Sequence, residues 1–140
     1  MLVNGSENYT APSGLNIEYT IGGENSVKQD AGTRLAGKDR YETGKAVARA
    51  ASNYSNIIFV DGRKFPDSIS AINLVKPRNS IIIPIADNRD NSDMKEFLNI
   101  LPATQNENSW DVEKAGYALL VGGPGSITDA TMTKMLYPSK

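Results

Sequence analysis

Two stretches of this chain, Ile57-Ile58-Phe59-Val60 and Ile81-Ile82-Ile83-Pro84-Ile85, are apolar at every position, with no alternation of polar and apolar residues. A strand of that kind must be covered on both faces, and helices that cross between parallel strands provide such cover. Helical signals fall where the crossovers are needed. The clearest runs from Asp39 to about Ser52. Asp39 and Glu42 stand at capping-box spacing there, and Tyr41, Gly44, Val47, Ala48 and Ala51 form a stripe along one face. A second helix opens at Pro66 or Asp67 and runs to about Lys76, with Ile69, Ile72 and Val75 on one side. A third spans Asp93–Leu101, headed by Ser92, and a fourth Thr128–Leu136. Shorter strands are expected at Asn16–Ile21, closed by Gly22-Gly23, and at Tyr117–Val121, closed by Gly122-Gly123. The expected fold is α/β, an open and mostly parallel sheet with helices on both faces. Pro102–Gly116 fits no element and reads as a long polar loop anchored by Trp110.

Composition removes most chemistries. The chain has no cysteine and no histidine, so it cannot supply a disulfide, a Cys/His zinc site, a thiol nucleophile or a Ser-His-Asp triad. Fifteen basic against sixteen acidic residues leave a net charge of −1, which argues against a dedicated nucleic-acid partner. The start lacks a signal peptide and no apolar run approaches the roughly 20 residues of a membrane span. Either the chain is cytosolic or it is a piece whose export signal lies elsewhere. The charge is uneven, however. Residues 1–27 carry three acids and no base, residues 28–78 ten bases and five acids, and residues 79–140 five bases and eight acids. A basic middle in a neutral whole suits a phosphate- or carboxylate-bearing partner.

Three places invite a functional reading. Asp61 and Asp87 both follow strands, where an open parallel sheet gathers ligands, and could pair around Mg²⁺ for phosphotransfer; Asp is equally a favoured turn residue. Asp87–Asp93 is no calcium loop, since Arg89 takes the third position and the sixth lacks glycine. Gly122-Gly123-Pro124-Gly125-Ser126 is neither a dinucleotide fingerprint nor a P-loop, and its glycines read as a tight strand-to-helix turn. In Arg34-Leu-Ala-Gly37-Lys38-Asp39-Arg40-Tyr41-Glu42-Thr43, two arginines flank a turn at a helix start. Such guanidiniums can clamp neighbouring carbonyls or grip an anionic polymer. The chain also echoes itself. Tyr19-Thr-Ile-Gly22-Gly23-Glu-Asn-Ser26-Val27 returns 100 residues later as Leu119-Leu-Val-Gly122-Gly123-Pro-Gly-Ser126-Ile127. Leu2-Val3-Asn4 reads as the tail of a further strand. The organisation is then residues 1–31 as the tail of a preceding repeat, packed on the same domain, and 32–140 as one repeat.

Taken together, Arg34-Leu-Ala-Gly37-x-Asp39-Arg40-Tyr41-Glu42-Thr43, Phe65-Pro66-Asp67-Ser68 and Val121-Gly122-Gly123-x-x-Ser126-Ile127 resemble the cell wall binding repeat 2 family of Gram-positive surface proteins. The resemblance spans about residues 33–136. It implies a Rossmann- or Toprim-like module, present as three tandem repeats about a pseudo-threefold axis. It implies non-covalent anchoring to an anionic secondary cell wall polymer of teichoic-acid type, with no catalysis, cofactor, metal, nucleic acid or membrane involved. The location implied is the surface of an exporting Gram-positive cell, and the partners are neighbouring repeats or a homotrimer. Some members carry a Pro-Ile-Leu-Leu motif tied to anchoring, where this chain has Ser80-Ile81-Ile82-Ile83. The expected polymer-binding or inter-module groove is accordingly Arg34, Lys38, Arg40 and Ser80, Ile81, Ile82, Ile83. Gly37, Asp39, Tyr41, Thr43, Phe65, Pro66, Asp67, Ser68, Gly122 and Gly123 are expected to hold the motif's shape. A metal-dependent phosphotransferase and a purely structural self-association module are the alternatives.

Overall fold

The computed structural model describes residues 13–28, 31–51, 54–101 and 118–137. The expected strand tail at Leu2–Asn4 and the Pro102–Gly116 loop lie outside them. Two compact units divide the chain, Met1–Ala50 and Ala51–Lys140. The fold is α/β with parallel sheets throughout.

In the first unit, β1 (Tyr19–Ile21) and β2 (Thr33–Leu35) pair in parallel and are followed by α1 (Arg40–Ala50). The register sets Tyr19 against Thr33, Thr20 against Arg34 and Ile21 against Leu35. The pairing closes at both ends, where Gly22 N–H donates to Leu35 O at 2.9 Å and Thr33 N–H to Glu18 O at 2.8 Å. Thr20 is buried and its hydroxyl donates to Ala31 O at 2.6 Å. Strand β2 has no counterpart in the sequence reading, because three residues carry no periodicity.

The second unit holds β3 (Asn56–Asp61), α2 (Phe65–Val75), β4 (Ser80–Ile85), α3 (Met94–Asn99), β5 (Ala118–Val121) and α4 (Asp129–Leu136). Its sheet runs β4-β3-β5, so the most apolar strand is central and parallel to both neighbours. Strand alternation sends Ile58 and Val60 to one face, where they cluster with Ala71, Leu74 and Val75 of α2 and with Ile82, Leu119 and Val121. Phe59, Ile83 and Ile85 point the other way and are fully buried. Helices α3 and α4 bury Met94, Phe97, Leu98, Met135 and Leu136. Helix α2 departs from expectation. Its sheet-facing side is Ala71, Leu74 and Val75, whereas Ile69 and Ile72 are exposed at 49% and 60%. The methyl of Ala71 lets the helix approach the sheet, which a larger side chain at that position would prevent.

Candidate functional site

The Arg34–Thr43 decapeptide of the first unit resolves into separate mechanical tasks. Arg34 leaves β2 and donates from Nη1 to Gly22 O at 2.8 Å and to Val27 O at 3.2 Å, which holds the 22–27 turn against the strand pair. Gly37 lies against the first turn of α1. A Cβ built on it would stand 2.6 Å from the Glu42 carbonyl carbon and 2.8 Å from the Thr43 nitrogen. Its own N–H donates to Thr43 Oγ1 at 3.0 Å. Asp39 caps the helix, with Oδ1 accepting from Tyr41 N–H and Glu42 N–H, both at 2.9 Å. The Glu42 carboxylate, at the capping-box position, pairs with Lys45 Nζ at 3.2 Å, one turn on.

These contacts leave a cleft of about 660 Å³ between the 22–26 turn and the start of α1. Gly22, Gly23, Glu24, Asn25 and Ser26 form one wall, and Gly37, Lys38, Asp39, Arg40 and Thr43 the other. Lys38 and Arg40 are exposed. The Asp39 carboxylate is engaged with helix N–H groups, and Glu24 is the second acid on the cleft walls. The resulting arrangement offers two positive side chains and several small polar groups, suited to an anionic or hydroxyl-rich ligand.

In the second unit, two motif blocks that are far apart in sequence interlock. Ser126 Oγ donates to Asp67 Oδ2 at 3.0 Å, and Lys64 Nζ donates to Gly125 O at 2.8 Å and to Ser126 Oγ at 3.0 Å. Gly122 has φ of 140°, and a Cβ there would meet Asp67 Oδ2 at 3.0 Å. The glycine is thus required both by its backbone angle and by the carboxylate packed over it. No such packing constrains Gly123, since nothing lies within 4 Å of a Cβ at that position. Phe65 and Pro66 open α2, with Pro66 at its first turn where the missing N–H costs nothing. Ser68 sits half-buried in the same turn.

Asp61 is fully buried at the end of β3. Its Oδ1 accepts from Arg63 N–H at 2.9 Å and Arg63 Nε at 2.8 Å, and its Oδ2 from Arg63 Nη2 at 2.9 Å. Arg63 Nη2 also donates to Ser126 O at 2.7 Å, which ties the strand end to the 122–127 turn. The Arg63 side-chain hydrogen bonds hold the Asp61 carboxyl below its ordinary value, against the opposing effect of burial. Asp87 Oδ1 accepts from Thr128 N–H at 3.0 Å at the head of α4, and that backbone bond lowers its carboxyl likewise. Of the two carboxylates read as possible cation ligands, Asp61 is thus engaged through both oxygens by Arg63, and Asp87 through one oxygen by the head of α4. Among the described residues no cluster of three or more acids, histidines or cysteines is placed to hold a metal.

Of the residues expected to form a groove, Arg34, Lys38 and Arg40 belong to the first unit, where Lys38 and Arg40 line the cleft and Arg34 clamps the turn behind it. Ser80, Ile81, Ile82 and Ile83 form β4 of the second unit. Ile83 is fully buried and Ser80 nearly so, with its hydroxyl donating to Arg78 O at 3.2 Å, while Ile81 and Ile82 are half-buried. Tyr41 is half-buried on α1. The sequence reading missed Glu24, Asn25 and Ser26 as cleft wall. Their signal was the Gly22-Gly23 turn, which sets a loop beside whatever follows β2.

Comparison with known proteins bears on the family and the fold. The family model described as Cell wall binding domain 2 (CWB2) matches residues 34–132. The solved structure of Cwp8 from Clostridium difficile superposes with a TM-score of 0.61 at 19% sequence identity, which shows a shared fold. That match covers 84% of this chain and 19% of the Cwp8 chain, so the present sequence spans about a fifth of that protein's length. No curated protein matches in sequence.

Proposed function

We propose, for a chain that belongs to the cell wall binding domain 2 family, that it is a non-catalytic anchoring module on a Gram-positive cell surface which holds an anionic secondary cell wall polymer. The observation that carries this reading is the cleft in the first unit, with Lys38 and Arg40 exposed on one wall and no catalytic constellation beside them. Each exposed cation–anion contact is worth at most about 1 kcal/mol, so one module binds weakly and linked modules gain by effective concentration. Half-buried Ile81 is the part of β4 that remains for a neighbouring module, whereas Ser80, Ile82 and Ile83 serve the strand and its own packing.

The test is retention of the chain on purified wall polymer as salt rises. Replacing Lys38 and Arg40 together with alanine is expected to weaken retention by up to about 30-fold, the sum of two such contacts. The residual salt dependence should become shallower. Retention unchanged by the double substitution overturns the cleft as the polymer site.

Packing against other modules, singly or as a trimer, has its own support. Phe65, Ile69 and Ile72 recur at helical spacing on α2 and are 74%, 49% and 60% exposed. A contiguous apolar face of this kind marks an association surface. Replacing Ile72 with aspartate is expected to shift the chain toward monomer in analytical ultracentrifugation, with the melting temperature of a dilute sample held within a few degrees. A chain that is monomeric at all concentrations before substitution counts against the face as a self-association surface.

A further inference from the structure

We propose that the outer edge of β5 is a docking edge for the β2 segment, residues 33–35, of a second module of this kind. The inference extends the tandem-module reading above and is independent of what the module binds. It rests on the internal echo, which the structure turns from a sequence similarity into a shared device. Gly22 and Gly122 have φ of 124° and 140°. After each, the same turn follows: Ser26 N–H donates to Gly23 O at 2.9 Å and Ser126 N–H to Gly123 O at 2.7 Å. Val27 and Ile127 N–H groups return to those same two carbonyls at 2.9 and 3.4 Å. Strand β1 with its turn and strand β5 with its turn are thus one element occurring twice.

The two copies differ in what lies beside them. The β1 copy has β2 paired along it, with Gly22 N–H bonded to Leu35 O and the Arg34 guanidinium bonded to Gly22 O and Val27 O. Among the described residues, the β5 copy is the end strand of its sheet, bonded to β3 only. The Gly122 N–H, which matches the bonded Gly22 N–H, has no hydrogen-bond partner among the described residues. An open strand edge is a template for another strand, and the echo specifies which one. The expected register sets Leu119 against Thr33, Leu120 against Arg34 and Val121 against Leu35 of the incoming module. The incoming Arg34 would then reach the Gly122 and Ile127 carbonyls. Each module would complete the sheet of the one before it, and a row of modules would share a seam of backbone hydrogen bonds.

The experiment appends a second copy of residues 31–50 after Lys140 of the full chain, through a 20-residue glycine–serine linker with a reach of about 25 Å. Amide exchange at Gly122 is then followed by NMR. The expected result is at least tenfold slower exchange at Gly122 in the extended chain, with Gly22 unchanged. Arg34→Ala in the appended copy alone should restore much of the original rate. Unchanged exchange at Gly122 overturns the proposal. So does equal slowing by an appended segment of scrambled sequence, which would make the effect non-specific. Polymer retention is read in a separate assay on Lys38 and Arg40, so the two readings fail independently.

Discussion

Substituting Asp61 by alanine is expected to destabilise the Ala51–Lys140 unit by about 3 kcal/mol, at the lower end of what breaking a buried ion pair costs. The carboxylate is fully buried and accepts three bonds from Arg63, while the Arg63 side chain is 36% exposed, so water softens the loss of its partner. Freed from Asp61, the guanidinium also loses the geometry that bonds Ser126 O and joins β3 to the last turn. For a unit of this size the melting temperature should fall by roughly 12–24 °C. The pH dependence carries a sign that identifies the cause. Because folding lowers the Asp61 carboxyl below its ordinary 3.8, its contribution is complete above that value and is lost as pH falls below it. Acid melts of the unsubstituted chain should therefore steepen below about pH 4, and the Asp61→Ala chain should show a flatter profile. Asp87 and Asp90, also lowered, leave it some slope. A substituted chain with the original melting temperature would mean that Arg63 and Asp61 do not depend on each other.

Replacing Gly37 by alanine is expected to disrupt the first unit as severely. The added Cβ would stand 2.6 Å from the carbonyl carbon of Glu42 and 2.8 Å from the nitrogen of Thr43, both backbone atoms in the first turn of α1. Backbone cannot yield as a flexible side chain can. Either the loop moves away or the helix start unwinds, and each breaks the Gly37–Thr43 and Asp39 cap bonds. Overpacking of this kind costs about 1–3 kcal/mol, and loss of the cap about 1 kcal/mol more. Circular dichroism should show reduced helix content, and polymer retention should fall with it, since the loop forms a wall of the cleft. Full helix content with full retention would contradict the packing described.

The strands and helices of the second unit were legible because continuous apolar runs leave few alternatives to a covered parallel sheet. Asp39 as a cap was equally clear from its place before Arg40–Ala50. What the sequence hid falls into two kinds. The face of α2 was misjudged because hydropathy cannot separate an apolar side chain facing the sheet from one facing outward: Ile69 and Ile72 read as core, and Ala71 takes the core position instead. The role of Asp61 was obscured because a carboxylate after a strand serves as turn, ligand or ion-pair partner equally well. Only the fold reveals that Arg63 bends back onto it. The linkage of Asp67 to Ser126 was unreadable for a further reason, since 59 residues separate them and no periodicity spans that distance.

The order β4-β3-β5 sets a timetable for assembly during synthesis. Strand β3 emerges first among the three and occupies the middle, yet Val60 waits for Val121 as its neighbour. Until the ribosome has delivered Ala118–Val121, one flank of the most apolar strand stays unpaired and exposed to solvent or chaperones. A nascent chain of this design keeps that flank open until Ala118–Val121 arrives, and the sheet then closes in a single step.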